Sequence, residues 1–414
     1  MRNASHRAVL LVLIAALLAV LAPQAGAQRR DDDKPRSQGS CANRELPPPP
    51  VDTSEKPKPG QASPAPLPVP GRAVGGERMA ECGLILPRNT RNPPAQVTAA
   101  SWVLHDLDTG AVIAARDPHG RQRPASLIKT LLALVVIKEL QPGTAITVTK
   151  EDAEQECTCV GIVAGGQYTV EQLLYGLLMH SGNDVAHALA TALGGVPATL
   201  EKMNALATSI GATDTRAATP SGLDGPGMSS SAYDMSLIFH AAMKQPLFAK
   251  AVATRQIQFP GWGEKQPFPL YNDNKLLSSY PGFLGGKTGF TDDARHTYVG
   301  AAQQGGRRLA VVMMRGEQKP IRFSDQAAKL LDYGFALAAA NPEPVGKVDY
   351  DAGATEPTAD VAGKSPVAAA ASTAEDPFGV TGWIITMFVG VIIIVGFVVG
   401  HRRKRAAEDP HQGL

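Results

Sequence analysis

A serine and a lysine stand three residues apart at Ser126 and Lys129, directly before an apolar run from 131 to 137. The run is typical of a buried helix, so we expect Ser126 at or near its N-terminus and Lys129 about one turn later on the same face. Such a hydroxyl has an amine within reach to take its proton, and helix N–H groups facing any oxyanion that it forms. Because Ser-x-x-Lys also occurs by chance, the rest of the chain must decide whether Ser126 is a nucleophile.

A second polar motif, Ser-Gly-Asn at 181–183, interrupts a helical stretch. The Ser181 hydroxyl can relay a proton towards a leaving amine. The Asn183 carboxamide can hydrogen-bond an amide of an extended substrate. Seen alone, the motif is also explained by a turn between two helices. Asp184, the next residue, is best interpreted as a helix cap.

A third motif, Lys-Thr-Gly at 287–289, adds a cation, a hydroxyl and a glycine. Lys287 and Thr288 suit a terminal carboxylate, by charge and by hydroxyl donation. Gly289 would let an extended substrate backbone lie close against a strand. Burial and a second cation would lower the pKa of Lys129 so that its amine is neutral when it acts, and Lys287 is the candidate for that cation.

Together and in this order, the three motifs resemble those of the penicillin-binding-protein and serine β-lactamase superfamily. More specifically, residues 97–335 resemble the low-molecular-mass, serine-type D-alanyl-D-alanine carboxypeptidases. Four further segments carry this resemblance, at 180–184, 219–224, 231–234 and 286–291. The resemblance implies a β-lactamase/transpeptidase-like α+β fold. It also implies removal of the terminal D-Ala from peptidoglycan stem pentapeptides through an acyl-enzyme on Ser126.

The same resemblance implies a role for each motif residue. The catalytic residues would be Ser126, Lys129 and Ser181, and the substrate-binding residues would be Asn183, Lys287, Thr288, Gly289 and Phe290. The backbone N–H groups of Ser126 and Phe290 would hold the oxyanion. β-Lactam antibiotics would be covalent inhibitors, and no metal or other cofactor is expected. The net charge of +2 gives no field that would favour nucleic acid.

Three other functions remain open from the sequence. A D,D-endopeptidase that cuts peptidoglycan cross-links would use the same motifs. A class A β-lactamase needs a Glu-x-x-x-Asn element, and the best match, Glu201 to Asn204, has the wrong spacing and lies too soon after Ser181. A non-catalytic penicillin-binding sensor would have lost a motif residue, and none is lost. Residues 294–296 read Ala-Arg-His where these carboxypeptidases often read Ala-Gly, which leaves the substrate preference open.

The elements that must position these motifs follow from the patterns between them. Residues 101–106 and 111–115 are β-prone and flank a Gly-containing turn, which predicts a hairpin. Late strands are predicted at 297–302 and 309–314, helices fill the middle, and a closing helix spans about 324–338. We therefore expect one α+β domain. Its N- and C-terminal strands would lie side by side in an antiparallel sheet with helices packed on its faces.

The two ends of the chain have the patterns of membrane signals. Arg2 and Arg7 precede an apolar stretch at 8–22 and small residues at 25–27, which predicts a secretory signal peptide. Residues 381–400 carry no charge and as a helix would span about 30 Å of hydrocarbon, and a basic cluster follows at once. The sequence predicts an enzyme of the bacterial cell envelope, anchored in the plasma membrane by one C-terminal transmembrane helix, with an extracytoplasmic catalytic domain.

Proline-rich and small-residue segments outside the domain lack the apolar content for a core. The predicted organisation is a signal peptide at 1–27, a Pro-rich extracytoplasmic linker at 28–94, the catalytic domain at 95–340, an Ala- and Pro-rich linker at 341–379, a transmembrane helix at 380–400 and a basic cytoplasmic tail at 401–414.

Four cysteines fit an oxidising compartment and allow three pairings. Cys41 and Cys82 both flank the Pro-rich segment outside the enzyme-like region, which slightly favours a bridge between them. Cys157 and Cys159 could pair with each other or stay reduced.

Overall fold

The computed structural model describes residues 41–156 and 158–349. In this part of the chain the strands are β1 (Leu84–Ile85), β2 (Ser101–Asp106), β3 (Ala111–Arg116), β4 (Ala145–Thr147), β5 (Gln167–Thr169), β6 (Gln256–Phe259), β7 (Phe268–Tyr271), β8 (Phe283–Thr291), β9 (Arg295–Gln304), β10 (Arg307–Gly316) and β11 (Gly346–Lys347). The helices are α1 (Lys129–Glu139), α2 (Lys150–Ala153), α3 (Val170–Met179), α4 (Asn183–Ala192), α5 (Val196–Ser209), α6 (Ala232–Met243), α7 (Pro246–Ala253), α8 (Leu276–Ser279) and α9 (Phe323–Ala339). Short 3₁₀ turns at Glu77–Ala80 and Ala125–Ile128 precede β1 and α1.

A seven-stranded antiparallel sheet forms the centre of the domain, in the order β1-β3-β2-β10-β9-β8. The seventh strand, β11, pairs with the end of β3 that β1 leaves free. Strand β2 pairs with β10 along its whole length, so strands from the two ends of the domain lie side by side. This arrangement confirms the antiparallel sheet and the α+β class that the sequence predicts.

Both faces of the sheet are buried because apolar side chains alternate along its central strands. On β10, Val311 and Met313 belong to the core beneath α9, whereas Val312 and Met314 belong to the core on the opposite face. That second core is the larger, and α1, α3, α4 and α6 all contribute buried side chains to it. Helices therefore cover both faces, and β8, which carries the third motif, forms one edge of the sheet.

The helix that leads to the second motif begins at a strong local signal. Thr169 Oγ1 accepts from the backbone N–H of Gln172, and the Gln172 side chain accepts in turn from the backbone N–H of Thr169. This reciprocal capping box satisfies two donors at the start of α3. The cap fixes the start of α3, which then runs to Met179, two residues before Ser181.

The Pro-rich segment at 41–94, called the N-terminal arm below, differs from the linker predicted for 28–94. It packs against the domain, and its side chains Val74, Met79 and Ile85 lie in the main core. The Arg121 guanidinium donates to three backbone carbonyls of the arm. The arm has too few apolar residues for a core of its own, but the domain buries those few. Arginines of the domain donate hydrogen bonds to backbone carbonyls of the arm.

A disulfide joins Cys41 to Cys82 within the arm, which is the pairing that the sequence slightly favours. Cys157 lies outside the described residues, so its pairing stays a prediction. The linker predicted at 341–379 begins differently, because β11 pairs with β3 and Val345 is buried.

The segments predicted as signal peptide, transmembrane helix and cytoplasmic tail also lie outside the described residues. Among the helices that the structure describes, none is both long and apolar enough to cross a membrane.

Candidate active site

Ser126 lies on the 3₁₀ turn Ala125–Ile128, immediately before α1 begins at Lys129. Ala125 has a φ of +47°, in the left-handed region that residues with a Cβ seldom adopt. Neighbouring elements hold this turn in place, since Thr297 on β9 donates its hydroxyl to the Pro124 carbonyl at 2.9 Å. The turn places Ser126 in the wall of a cavity of about 380 Å³.

Lys129 is fully buried, and its Nζ lies 3.0 Å from Ser126 Oγ. The same Nζ donates to Asn183 Oδ1 at 2.8 Å and to the carbonyl of Ser221. Burial lowers the pKa of Lys129 well below its ordinary value, and the nearby Lys287 cation lowers it further. The amine is therefore within reach of the Ser126 proton and is shifted towards its neutral, proton-accepting form.

Ser181 lies in the wall of the same cavity as Ser126. Its φ of +64° places it in the left-handed region, between the end of α3 and the start of α4. Its Oγ is buried and has no hydrogen-bond partner among the described residues. A buried hydroxyl next to a cavity, with no protein partner in this part of the chain, is available to a bound substrate.

Asn183 has partners within the protein, besides the substrate contact that the sequence predicts. Its Oδ1 accepts from Lys129, and its Nδ2 donates to the Glu156 carbonyl at 2.7 Å. Its backbone N–H donates to the Thr158 carbonyl at 2.7 Å. Asn183 therefore joins the amine of Lys129 to the loop at 156–163, which also supplies Thr158 to the cavity wall.

Asp184 does more than cap its helix. The carboxylate is fully buried and accepts three backbone N–H groups of the loop at 160–162, at 2.7 to 3.1 Å, besides the N–H of Val185. It also raises the pKa of Lys129, against the larger effect of burial. Asp184 thus fixes the loop that Asn183 contacts, and it limits how far burial lowers the pKa of Lys129.

Strand β8 places Thr288, Gly289 and Phe290 in the cavity wall. Lys287 is instead buried, with 2 % of its surface exposed, and its Nζ donates to the Thr288 carbonyl at 2.7 Å. Burial lowers the pKa of Lys287 to about 8, against the opposing effect of Asp273. Lys287 therefore acts on Lys129 through its charge.

Gly289 is needed where β8 meets the turn of Ser126. A Cβ at Gly289 would lie 2.5 Å from Thr297 Oγ1 and 2.9 Å from the backbone nitrogen of Ser126. The prediction from the sequence was that this glycine makes room for a substrate backbone. The structure adds a requirement within the protein, because any side chain there would collide with the backbone of the predicted nucleophile.

Several cavity residues belong to no motif that the sequence reveals. They are Thr158, Asp273, Lys275, His296, Gln318 and Arg322. They come from loops, from strand β9 and from the residue that caps α9, so only the fold brings them together. Asp273 lies 3.3 Å from the ring of His180, and the Arg322 side chain is 65 % exposed. The Ser221 carbonyl was also missed, because the loop at 219–225 looks purely structural in the sequence.

Two groups of side chains in the described part of the chain have a composition that could hold a metal ion. The first is His119, Asp214 and Asp234, and the second is Glu55, Asp224 and Asp293. In each group an arginine already pairs with a carboxylate: Arg121 with Asp214, and Arg123 with Glu55. Both groups are therefore explained as buried ion-pair clusters.

The family model described as D-alanyl-D-alanine carboxypeptidase matches residues 88–318. The chain belongs to this family. The match includes all three motifs, and it leaves out most of the N-terminal arm.

This carboxypeptidase is similar to curated and solved relatives of the same kind. The D-alanyl-D-alanine carboxypeptidase DacB2 of Mycobacterium tuberculosis is 49 % identical over 249 residues, which cover 59 % of this chain and 84 % of the relative. A solved D-alanyl-D-alanine carboxypeptidase from the same organism is 47 % identical with a TM-score of 0.61, over 64 % of this chain and 99 % of that one. A solved Streptomyces DD-transpeptidase is 28 % identical with a TM-score of 0.55, over 59 % of this chain and 100 % of that one.

Proposed function

We propose that Ser126 is the nucleophile with which this D-alanyl-D-alanine carboxypeptidase removes the terminal D-Ala from peptidoglycan stem pentapeptides. Membership of the family supplies the reaction. The observation that supports Ser126 is the 3.0 Å contact of its Oγ with Lys129 Nζ, because burial lowers the pKa of that amine. A lysine that is neutral when substrate binds can act as the general base that a serine hydroxyl requires.

The first half of the reaction forms an ester. Neutral Lys129 accepts the proton of Ser126 as Oγ attacks the carbonyl carbon of the penultimate D-Ala. The backbone N–H groups of Ser126 and Phe290 stabilise the oxyanion. The peptide C–N bond then breaks, and the Ser181 hydroxyl relays the proton from Lys129 to the leaving nitrogen, so that D-alanine departs with a neutral amine.

The second half returns the enzyme to its starting state. A water molecule attacks the ester carbonyl and gives one proton to Lys129. When the ester bond breaks, that proton passes to the Ser126 oxygen, and the shortened peptide leaves as a carboxylic acid that releases its remaining proton to solvent. Asn183 keeps Lys129 in place during both halves through the 2.8 Å bond from Nζ to its Oδ1.

The terminal carboxylate of the substrate is assigned to Thr288 and Arg322. Both side chains lie in the cavity wall, and a guanidinium binds a carboxylate through two parallel hydrogen bonds. Lys287, which the sequence pairs with Thr288 for this contact, adds its positive charge to the site. Gly289 and Phe290 also line that wall. Gly289 leaves room because it has no side chain, and Phe290 presents its backbone N–H.

Penicillin tests the assignment of the nucleophile directly. We expect mass spectrometry of the penicillin-treated protein to find one adduct, on the peptide that contains Ser126. The Ser126→Ala variant should show no adduct, whereas a Ser324→Ala variant, altered elsewhere in the cavity wall, should still be labelled. An unlabelled wild-type protein, or a labelled Ser126→Ala variant, would refute the mechanism.

The same adduct should be long-lived. No glutamate lies in the cavity wall within the described residues, and Asn204 of the candidate β-lactamase element instead bonds the backbone of Ala217. The carboxylate in that wall is Asp273, which lies 3.3 Å from the ring of His180, so no glutamate there supplies the carboxylate that activates the deacylating water in class A β-lactamases. Rapid turnover of penicillin by the purified protein would favour the β-lactamase alternative.

We also propose that the enzyme is held at the plasma membrane by residues 380–400, with its domain outside the cytoplasm. The uncharged run at 381–400, its basic flank and the disulfide within the arm support this topology. Alkaline extraction of cell membranes should leave the full chain in the membrane fraction, and a chain that stops at residue 379 should be released. Complete extraction of the full chain would contradict the anchor.

A further inference from the structure

Three segments of the active site meet at a charge cluster beside the catalytic centre. Arg123 is buried and lies three residues before Ser126 in the chain. Asp224 is on the loop whose Ser221 carbonyl contacts Lys129, and Asp293 is buried on the turn between β8 and β9. Each of the three segments therefore contributes one charged residue to this cluster. One segment supplies the nucleophile, another the Ser221 carbonyl that contacts Lys129, and the third the predicted oxyanion donor.

Short contacts connect the cluster to β8 and its neighbours. Thr291, the last residue of β8, donates its hydroxyl to Asp224 at 3.0 Å. Arg315 on β10 donates to the Asp293 carbonyl at 2.8 Å. Thr291 follows Phe290 directly, so a shift of the turn between β8 and β9 would move the backbone N–H that faces the oxyanion.

The N-terminal arm supplies the remaining partners of this cluster. Both carboxylate oxygens of Glu55 accept from the Arg123 guanidinium, which also donates to the Pro48 carbonyl at 2.7 Å. The backbone N–H of Val51 donates to Asp293 Oδ1, and the Ser54 hydroxyl donates to the other oxygen at 3.4 Å. The arm thus makes bonds to both of the buried charges that flank the catalytic segments.

Without those bonds the cluster would be incomplete. Arg123 would keep Asp293 at 3.9 Å as its ion-pair partner, and Asp293 would lose two donors to its carboxylate. Leaving a buried charge without its partners is costly, so the local backbone would move to recover solvent or new contacts. Burial, and the negative charges of Asp293 and Glu55, already raise the pKa of Asp224 to about 6, which reflects how closely these groups are packed.

We propose that residues 48–55 of the N-terminal arm are a positioning element of the catalytic centre. By completing the cluster around Arg123 and Asp293, they hold the turn between β8 and β9 in the arrangement that acylation of Ser126 requires. This inference rests on the proposed role of Ser126. The family match begins at residue 88, so these residues lie outside the part of the chain that the match describes.

Val51 offers a substitution that removes one donor and little else. Its side chain is exposed, and four prolines at 47–50 precede it, so a fifth proline continues an extended stretch. Val51→Pro deletes the N–H that bonds Asp293, whereas the matched control Val51→Ala keeps it. We expect the second-order rate constant for acylation by penicillin to fall about tenfold in Val51→Pro, because small displacements of reacting groups cost one to two orders of magnitude. Val51→Ala should react at the wild-type rate.

Glu55→Gln provides an independent second variant, with Glu77→Gln, an exposed glutamate of the same arm, as its control. Rates are measured well below the melting temperature of every variant, together with the non-covalent affinity for penicillin. A positioning role predicts a slower acylation step with little change in that affinity. Lower melting temperatures in Val51→Pro and Glu55→Gln, with acylation rates equal to those of their controls, would show that the arm only stabilises the fold and would overturn the proposal. Failure of the wild-type protein to acylate would instead refute the role of Ser126.

Discussion

Replacement of Lys129 by methionine is expected to slow acylation of Ser126 by penicillin about 10²- to 10⁴-fold, the usual cost of losing a general base. Methionine is close to lysine in length and apolar, so it fills the buried site without the amine. Its thioether cannot accept the Ser126 proton, which removes the function of the 3.0 Å contact between Nζ and Oγ. Stopped-flow measurement of the acylation rate, together with release of D-alanine from a pentapeptide, checks this expectation.

The pH dependence of the wild-type rate is part of the same prediction. Below the lowered pKa of Lys129 the amine is protonated and cannot take a proton, so acylation should rise with pH through that value. Lys129→Met should lose this dependence along with the rate. Lys329→Met, at an exposed position on α9, serves as the control and should behave as the wild type. A Lys129→Met variant that keeps a tenth or more of the wild-type rate would show that another group is the base.

Replacement of Gly222 by alanine is expected to lower the free energy of unfolding by about 2–5 kcal/mol, the sum of overpacking and left-handed backbone strain. Gly222 has a φ of +86°, and a Cβ there would lie 2.0 Å from the Ala125 carbonyl oxygen and 3.0 Å from the Ser126 nitrogen. To relieve that overlap, the loop at 219–225 and the turn of Ser126 must separate. Penicillin acylation should therefore fall as well, because the Ser221 carbonyl would leave Lys129.

Gly165 provides the matched control for this substitution. Its φ of +78° is similar, but nothing lies within 4 Å of the position that its Cβ would take. Gly165→Ala should therefore cost only the backbone strain, about 1–2 kcal/mol, and leave acylation unchanged. Denaturant unfolding of both variants measures the difference. Equal losses of stability in the two variants would mean that the loop yields to the new methyl group without disturbing the turn.

The parts of this molecule that depend on local signals could be predicted from the sequence. The hairpin of β2 and β3, the capping box of α3 and the helix after Ser126 all follow from residues within a few positions of one another. The motif residues could also be named, because their types and order carry the chemistry. Lys287 was correctly expected to lower the pKa of Lys129 as a second cation.

The parts that depend on contacts between distant segments could not be predicted. The Ser221 carbonyl reaches Lys129 across 92 residues of sequence, and Glu55 reaches Arg123 across 68. Neither pair has a pattern that links its members. The arm looks like a linker because its composition is poor in apolar residues, but arginines elsewhere in the chain supply the hydrogen bonds that dock it. The contact of Asn183 with the Glu156 carbonyl was also missed, because it requires a loop whose path the sequence does not indicate.

The bridge between Cys41 and Cys82 changes the topology of the arm. It joins residues 41 positions apart, so the segment that contains Val51 and Glu55 is a closed covalent ring. Closing a loop of this size removes chain entropy from the unfolded state worth about 4 kcal/mol in the loop-entropy model, so the ring docks with less freedom to lose than an open tail would have. A ring also tolerates damage that a tail does not. A single proteolytic cut within it opens the chain but leaves both new ends attached to the enzyme.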